Sequence, residues 1–259
     1  MTKLASWNVN SVKARLGHLL DWLKAAQPDV VCLQEIKCTE ANFPRLEIKG
    51  LGYDAVVVGQ KSYNGVAILS RSPAKDVVVA LPGDGKDDHA RYIEATVGDL
   101  RVASVYLPNG NPAPGDKFDY KLAWMKRLEA HARGLLDREL PFALAGDFNV
   151  APADGDVYDP AGWKDDALCR PESRTRFRAL LNLGIVDAFR ALHDDGQRYT
   201  YWDYMQRRFE TDHGLRIDHI LLSPQATDRL RACDIDKSPR MRDKASDHTP
   251  IWCELATAS

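Results

Sequence analysis

The chain has 259 residues, 44% hydrophobic and 28% charged, apolar enough to bury a large core, which excludes a disordered or collagen-like polypeptide. Its 35 Lys and Arg stand against 37 Asp and Glu, so net charge points to no nucleic acid, and any such contact must come from a local basic patch. No apolar run approaches the ~18 residues that cross a membrane, and Met1–Trp7 lacks the basic and apolar regions of a signal peptide.

In chain order, Lys3–Trp7 reads as a strand, and Val12–Ala26 as a helix with Val12, Leu16, Leu19, Leu20 and Leu23 on one face. Pro28-Asp29 breaks that helix before a strand at Val30–Leu33. Further strands are predicted at Tyr53–Val58, Val66–Leu69, Val77–Leu81, Tyr92–Val97 and Val102–Leu107. A long helix over Phe118–Leu136 leads into the strand Phe142–Ala145. Arg174–Leu183 looks helical, and Ile217–Leu222 and Ile251–Leu255 close the set as strands. Strands in succession favour mixed sheets with helices outside over strict βαβ alternation. Neither GxGxxG nor a Walker loop argues otherwise. The polar stretches Pro82–His89 and Asn109–Asp116 are short enough for loops, so one domain over residues 1–259 is expected. Five scattered cysteines without a CxxC pair argue against disulfides and zinc, and point to a reducing cytoplasm.

The chemistry gathers where strands end. Leu4–Trp7 runs into Asn8 and Asn10, Val30–Leu33 into Gln34 and Glu35, and Val102–Val105 into Tyr106 and Asn109. Phe142–Ala145 runs into Gly146, Asp147 and Asn149. Taken singly, an Asp or Asn there is a turn or helix cap. Together they form the rim at which α/β sheets place their sites. Two later carboxylates join them, Asp218 and Asp247, the second followed by His248. Asp218 alternates with Ile220 and Leu222, so it shares an apolar face and needs a partner. A histidine would serve, and so would a salt bridge to Arg216.

These segments carry a resemblance. Trp7-Asn8-Val9-Asn10, Leu33-Gln34-Glu35, Asn64-Gly65-Val66-Ala67, Tyr106-Leu107-Pro108-Asn109-Gly110, Gly146-Asp147-Phe148-Asn149, Gly214–Asp218 and Ser246-Asp247-His248 resemble, in order, the motifs of the exonuclease III and abasic-site endonuclease family, across about residues 3–255. That family belongs to the wider exonuclease–endonuclease–phosphatase superfamily. The resemblance implies a DNase I-like four-layer α/β sandwich, two packed mixed β-sheets flanked by helices. It implies Glu35 as main ligand of Mg²⁺ (or Mn²⁺), one ion or two, with Asp247 and Asn10 near, Asn8 in support, and Asp147 and Asn149 alongside. It implies that Asp147 orients or deprotonates the attacking water and that Asn149 holds it with a phosphate oxygen. His248, oriented by Asp218, would donate to the phosphate, and Tyr106 would stand beside the phosphate or leaving oxygen. Hard oxygen donors suit Mg²⁺, and charge neutralisation suits an anionic phosphodiester.

The superfamily also includes phosphatases and phosphodiesterases of small molecules and lipids, so the motifs alone leave the substrate open. Basic clusters at Arg170–Arg178, Arg207-Arg208 and Lys237–Lys244 favour DNA phosphates, with Arg174 and Arg176 as candidate contacts beside Asn109. Lys61 and Tyr63 resemble the family's groove-entering loop. The resemblance implies a pocket for a flipped abasic sugar, with Tyr201, Trp202, Leu215 and Ile217 as its candidate walls. The loop around Trp163–Arg174 looks particular to this chain and bears on the balance between incision and 3′-end trimming. The expected partner is double-stranded DNA with abasic sites or 3′ ends, met by a monomer, with no membrane. An intact set of Glu35, Asp147, Asn149, Asp218, Asp247 and His248 speaks against a binding module without catalysis.

Overall fold

The computed structural model describes residues 1–194 and 196–257. The elements run β1 (Thr2–Asn8), α1 (Leu16–Ala26), β2 (Val30–Gln34), α2 (Arg45–Lys49), β3 (Asp54–Val58), β4 (Val66–Ser70) and β5 (Ala74–Val78). Then come β6 (Tyr92–Val97), β7 (Leu100–Tyr106), α3 (Asp116–Leu136), β8 (Phe142–Asp147), α4 (Pro160–Trp163) and α5 (Pro171–Leu181). The chain continues through β9 (Val186–Asp187), α6 (Ala188–Leu192), β10 (Asp218–Leu222), α7 (Pro224–Thr227), β11 (Leu230–Ile235) and β12 (Ile251–Leu255).

The strands form two six-stranded sheets, ordered β11-β12-β1-β2-β4-β3 and β5-β6-β7-β8-β10-β9. Each is mixed: β1 with β2 and β7 with β8 are the parallel pairs, and the other pairs are antiparallel. The sheets pack face to face on Leu4, Val30, Cys32, Ile68, Val102, Ala143, Ala145 and Ile220. Helix α1 covers the outer face of the first sheet through Leu19, Trp22 and Leu23. Helices α3 and α5 cover the second through Trp124, Leu128, Phe177 and Leu180, where each fully buried Leu or Phe contributes about 1.5–3 kcal/mol. The result is the four-layer sandwich that the resemblance implied.

Period-two alternation builds the site at the end of this core. Inward-facing residues run Leu4, Ser6, Asn8 along β1, and Val30, Cys32, Gln34 along β2. In the second sheet they run Val102, Ser104, Tyr106 along β7, Ala143, Ala145, Asp147 along β8, and Leu222, Ile220, Asp218 along β10. Each series turns from apolar to polar toward the same rim. Tyr106 and Asp218 are the direct neighbours of Asp147 on the two sides of β8. Between the sheets, Ser6 donates to Gln34, Gln34 to Ser104 and Ser104 to the Leu33 carbonyl, which satisfies the first polar layer.

Some boundaries differ from the sequence reading. Helix α1 starts at Leu16 because the Val12 N–H bonds the Ile36 carbonyl instead of opening a helical turn. The strand read at Val77–Leu81 lies at Ala74–Val78, an exposed edge with a register shift between Lys75 and Val78. Val77 and Val79 face solvent, so the apolar run marks no core strand. Helix α5 begins at Pro171, with proline at its first position.

Candidate active site

Backbone geometry aims the rim residues. A Cβ at Gly146 would overlap the Val105 carbonyl, so only glycine lets β8 run this close to β7 and bring Asp147 inward. Asn10, Glu35 and Asn149 all have left-handed backbone, with φ of 43°, 49° and 48°. Asparagine adopts that region readily, whereas a glutamate there is uncommon.

Asn8 sits at the centre, its amide nitrogen donating to Glu35 Oε1 at 2.9 Å and Asp147 Oδ2 at 3.0 Å. The Tyr106 hydroxyl donates to Glu35 Oε1 at 2.9 Å. Asn10 Nδ2 donates to Asp247 Oδ1 at 3.0 Å. The Asn149 N–H donates to Asp147 Oδ1 at 2.9 Å, and its side chain is fixed by the Leu107 carbonyl and by Asn109 Nδ2. His248 Nδ1 bonds Asp218 Oδ2 at 2.8 Å, while His248 Nε2 faces Asp147 Oδ2 at 3.8 Å. Arg216 is not the partner of Asp218, because its guanidinium pairs with Asp156 and Asp187.

The charges are set against one another. Burial and the Asp218 and Glu35 carboxylates raise Asp147 above the usual carboxylate range, against the pull of His248. Burial lowers His248, but Asp218 and Asp147 outweigh it and hold the imidazole up at about 10. Burial would raise Glu35, yet Lys37 and Asn8 bring it below its ordinary value. Asp147, Asp218 and His248 have ligand atoms within 4.8 Å of one another. Within this trio Asp218 Oδ2 is engaged by the imidazole Nδ1.

A cation would also fit at the Glu35 side of the site. Glu35 Oε2 and Asn10 Oδ1 converge on the Lys37 ammonium at 2.8 and 2.6 Å. Oxygens already aimed at one cation are the donor set that a hard divalent ion takes, and Asp247 is tied to Asn10 beside them.

A cavity of about 310 Å³ opens on these groups, lined by Glu35, Tyr106, Asn149 and His248 and, on its apolar side, by Trp163 and Tyr201. Of the four predicted pocket walls, Tyr201 and Ile217 reach it. Trp202 does not: it is fully buried, with its indole N–H on Asp212. Leu215 lies beneath the cavity in an apolar cluster with Ala151, Val157 and Leu168. Lys61 and Tyr63 stand exposed on the loop before β4, outside the cavity lining. Arg174 is tied to the Ala151 carbonyl and Asp154, and Arg176 lies near Glu129, so neither guanidinium faces the cavity. The basic groove that adjoins it carries Arg207, Arg208, Arg240 and Arg242 and shares Asp203 with it.

Sequence reasoning missed Lys37, two residues from Glu35 and visible only as a nearby charge. It also missed Lys121, which reads as a solvated residue of α3. Lys121 is fully buried and donates to the carbonyls of Asn109, Asn149 and Ala167 at 3.0, 2.6 and 3.1 Å. Burial pulls its amine down to about 7. Three carbonyl acceptors nonetheless require three N–H donors, which only the ammonium has. It therefore ties together three loops of the site as a cation. A larger cavity, about 580 Å³, lies at the far end of the second sheet around Thr96, Leu135 and Phe142, with its buried Glu94 fully bonded by Tyr92, Arg101 and His131.

Comparison with known proteins agrees with this geometry. The endonuclease/exonuclease/phosphatase family matches residues 5–248. The chain is 33% identical to the exodeoxyribonuclease III of Haemophilus influenzae, over 98% of this chain and 99% of the relative. It is 33% identical to the DNA repair nuclease APEX1 of Danio rerio, over 98% and 82% of the two chains. Among solved structures, a 3′ phosphatase from Neisseria bound to a product DNA hairpin superposes with a TM-score of 0.97 at 40% identity, covering 99% of this chain and 100% of that one. An AP endonuclease from Archaeoglobus fulgidus gives 0.96 at 35%, with the same coverage. The chain belongs to the endonuclease/exonuclease/phosphatase family, in its exonuclease III and abasic-endonuclease branch.

Proposed function

We propose that the protein is a divalent-metal-dependent phosphodiesterase of DNA repair, acting on 3′ ends and abasic sites of double-stranded DNA as a monomer and one folding unit. A cytoplasmic setting agrees with five free, buried cysteines, and no helix among the described residues is long and apolar enough to cross a membrane. The observation that carries the reading is the Asp147–His248–Asp218 row facing Glu35 across one bridging amide, Asn8. Relatives that are an exodeoxyribonuclease III, a DNA repair nuclease and a 3′ phosphatase support DNA as the substrate. So does the arginine groove beside the cavity.

In this reading Asn149 and His248 hold the scissile phosphate. Asp147, raised toward neutrality by its surroundings, orients a water and takes its proton. The water oxygen bonds to phosphorus as the bond to the leaving oxygen breaks on the opposite side. His248, kept cationic by Asp218, donates to a phosphate oxygen and offsets the growing charge. Tyr106 stands near the leaving oxygen through its contact with Glu35. Glu35, Asn10 and Asp247 would hold Mg²⁺ or Mn²⁺, which when bound neutralises phosphate charge and stabilises the leaving oxygen.

The test sets a duplex with one abasic site beside a duplex with a recessed 3′ end. EDTA should abolish cleavage of both and Mg²⁺ restore it, and Glu35→Ala should raise the Mg²⁺ needed without lowering the melting temperature. Full activity after metal stripping would overturn the metal assignment. Faster hydrolysis of a lipid or small phosphoester than of either duplex would overturn the substrate.

A further inference from the structure

We infer that Trp163 is a stacking platform for the base of a 3′-terminal nucleotide, and so a specificity-determining residue that favours base-bearing ends. This rests on the phosphodiesterase reading and adds the identity of the group that fills the apolar side of the cavity. Trp163 and Tyr201 are both partly exposed rings packed on one apolar floor, and both line the cavity that holds Asn149 and His248. At about 310 Å³ the cavity is at the small end of ligand pockets, roughly 300–1,000 Å³. A phosphate at Asn149 and His248 therefore leaves room for the rest of a single nucleotide.

The ring of Trp163 is held in place from behind. Its edge meets Tyr158, with centroids 6.4 Å apart at 76°. Tyr158 stacks in turn on His213 at 4.6 Å and 12°. The Arg208 guanidinium lies 5.3 Å from the Tyr158 ring centroid and 5.9 Å from that of Trp163, and donates to the Tyr158 hydroxyl at 2.7 Å. The loop itself is pinned at both ends. Tyr158 N–H bonds the Gly214 carbonyl, and Asn111 holds the Asp166 carboxylate and the Ala167 N–H. A part-exposed indole that is already ordered loses little entropy on binding. An aromatic face with a guanidinium nearby is what an unpaired base stacks on.

An abasic sugar has no base to stack, so Trp163 acts selectively. Tyr201 behaves differently, because its ring packs against His248 at 4.9 Å and so affects both substrates through the catalytic imidazole. The experiment compares two duplexes identical except for the unpaired 3′-terminal residue, one a normal nucleotide and one abasic. For Trp163→Ala, kcat/KM on the base-bearing end should fall on the order of 10–100-fold, the size of one base–aromatic stack. On the abasic end it should change about 2-fold or less, and Trp163→Phe should recover most of the loss. Equal losses on both ends, or no loss on either, overturn the inference, and Trp163→Phe guards against a folding defect in the alanine variant. If the wild-type enzyme cleaves neither end, the phosphodiesterase reading itself has failed.

Discussion

Strand β10 runs between two strands that each carry a buried aspartate, and the two aspartates live under opposite conditions. Asp187, on β9, accepts from Arg216 at 2.7 Å and from the Phe189 and Arg190 N–H groups that open α6. Burial raises it, but Arg216 and His219 outweigh that and hold its carboxyl far below the usual range. Asp147, on β8 at the opposite end of β10, is as deeply buried, yet has Asp218 and Glu35 as neighbours and its carboxyl is pushed up. One site spends its buried charge on holding β9, β10 and the loop at Asp156 together. The other, in the proposed mechanism, keeps a carboxylate poised to exchange a proton. Paired buried charge builds the frame, and frustrated buried charge is where we propose the chemistry happens.

Substitution should separate the two. Asp147→Asn should lower the single-turnover cleavage rate by about 10²–10⁴-fold, the contribution of a general base. The melting temperature should hold or rise, because a carboxylate disfavoured by burial and like charge has been removed. His248→Asn and Asp218→Ala should each lose rate, and the double variant should lose little more than either alone, since Asp218 acts through His248. A large drop in melting temperature for Asp147→Asn would make Asp147 a structural residue and end the contrast with Asp187. Additive losses at His248 and Asp218 would dissolve the pair.

The frame should fail in the other way. Arg216→Met leaves the Asp156 and Asp187 carboxylates facing each other without their shared cation. Breaking a buried pair of this kind costs about 3–5 kcal/mol, which for a chain of this size lowers the melting temperature by roughly 10 °C. The residual activity of the folded fraction should stay within a few-fold of wild type. A stable but inactive Arg216→Met protein would place Arg216 in the catalytic machinery instead.

The frame and the site were unequally legible in the sequence. The inner layers could be read because short apolar runs such as Val30–Leu33 and Phe142–Ala145 mark the strands, and because Asn8, Glu35 and Asp147 fall at the ends of such runs. Strands β9 and β11 escaped notice: β9 is two residues long, and β11 is a half-exposed edge built on Arg231, Ala232 and Asp234. Trp202 and Tyr201 are adjacent and aromatic, and only the fold decides which one enters the cavity. Arg174 and Arg216 look alike in sequence. Asp154 and the Ala151 carbonyl hold one at the surface, while Asp156 and Asp187 bury the other. Partners distant in the chain are what the sequence cannot display.

Glu94 extends the comparison to a third buried carboxylate, away from all catalysis at the far end of the second sheet. Burial raises it, but hydrogen bonds from His131, Tyr92 and Arg101 prevail and bring it down to about 2 from an ordinary 4.5. A carboxyl depressed in the folded state stabilises the fold fully above its unfolded value, and that stability disappears as pH falls from about 4.5 toward 2. At about 1.4 kcal/mol per pKa unit the full contribution is on the order of 3 kcal/mol. Glu94→Gln should therefore be less stable than wild type near pH 7. The gap should shrink steadily below pH ~4.5, because the wild type loses with acid what the variant never had. Urea unfolding of both proteins between pH 7 and pH 3 measures this directly, and cleavage at pH 7 should be unchanged in the folded variant. A gap that stays constant with pH would mean that Glu94 stabilises through packing alone, and would leave the structural role of a depressed carboxyl to Asp187 and Asp156 around Arg216.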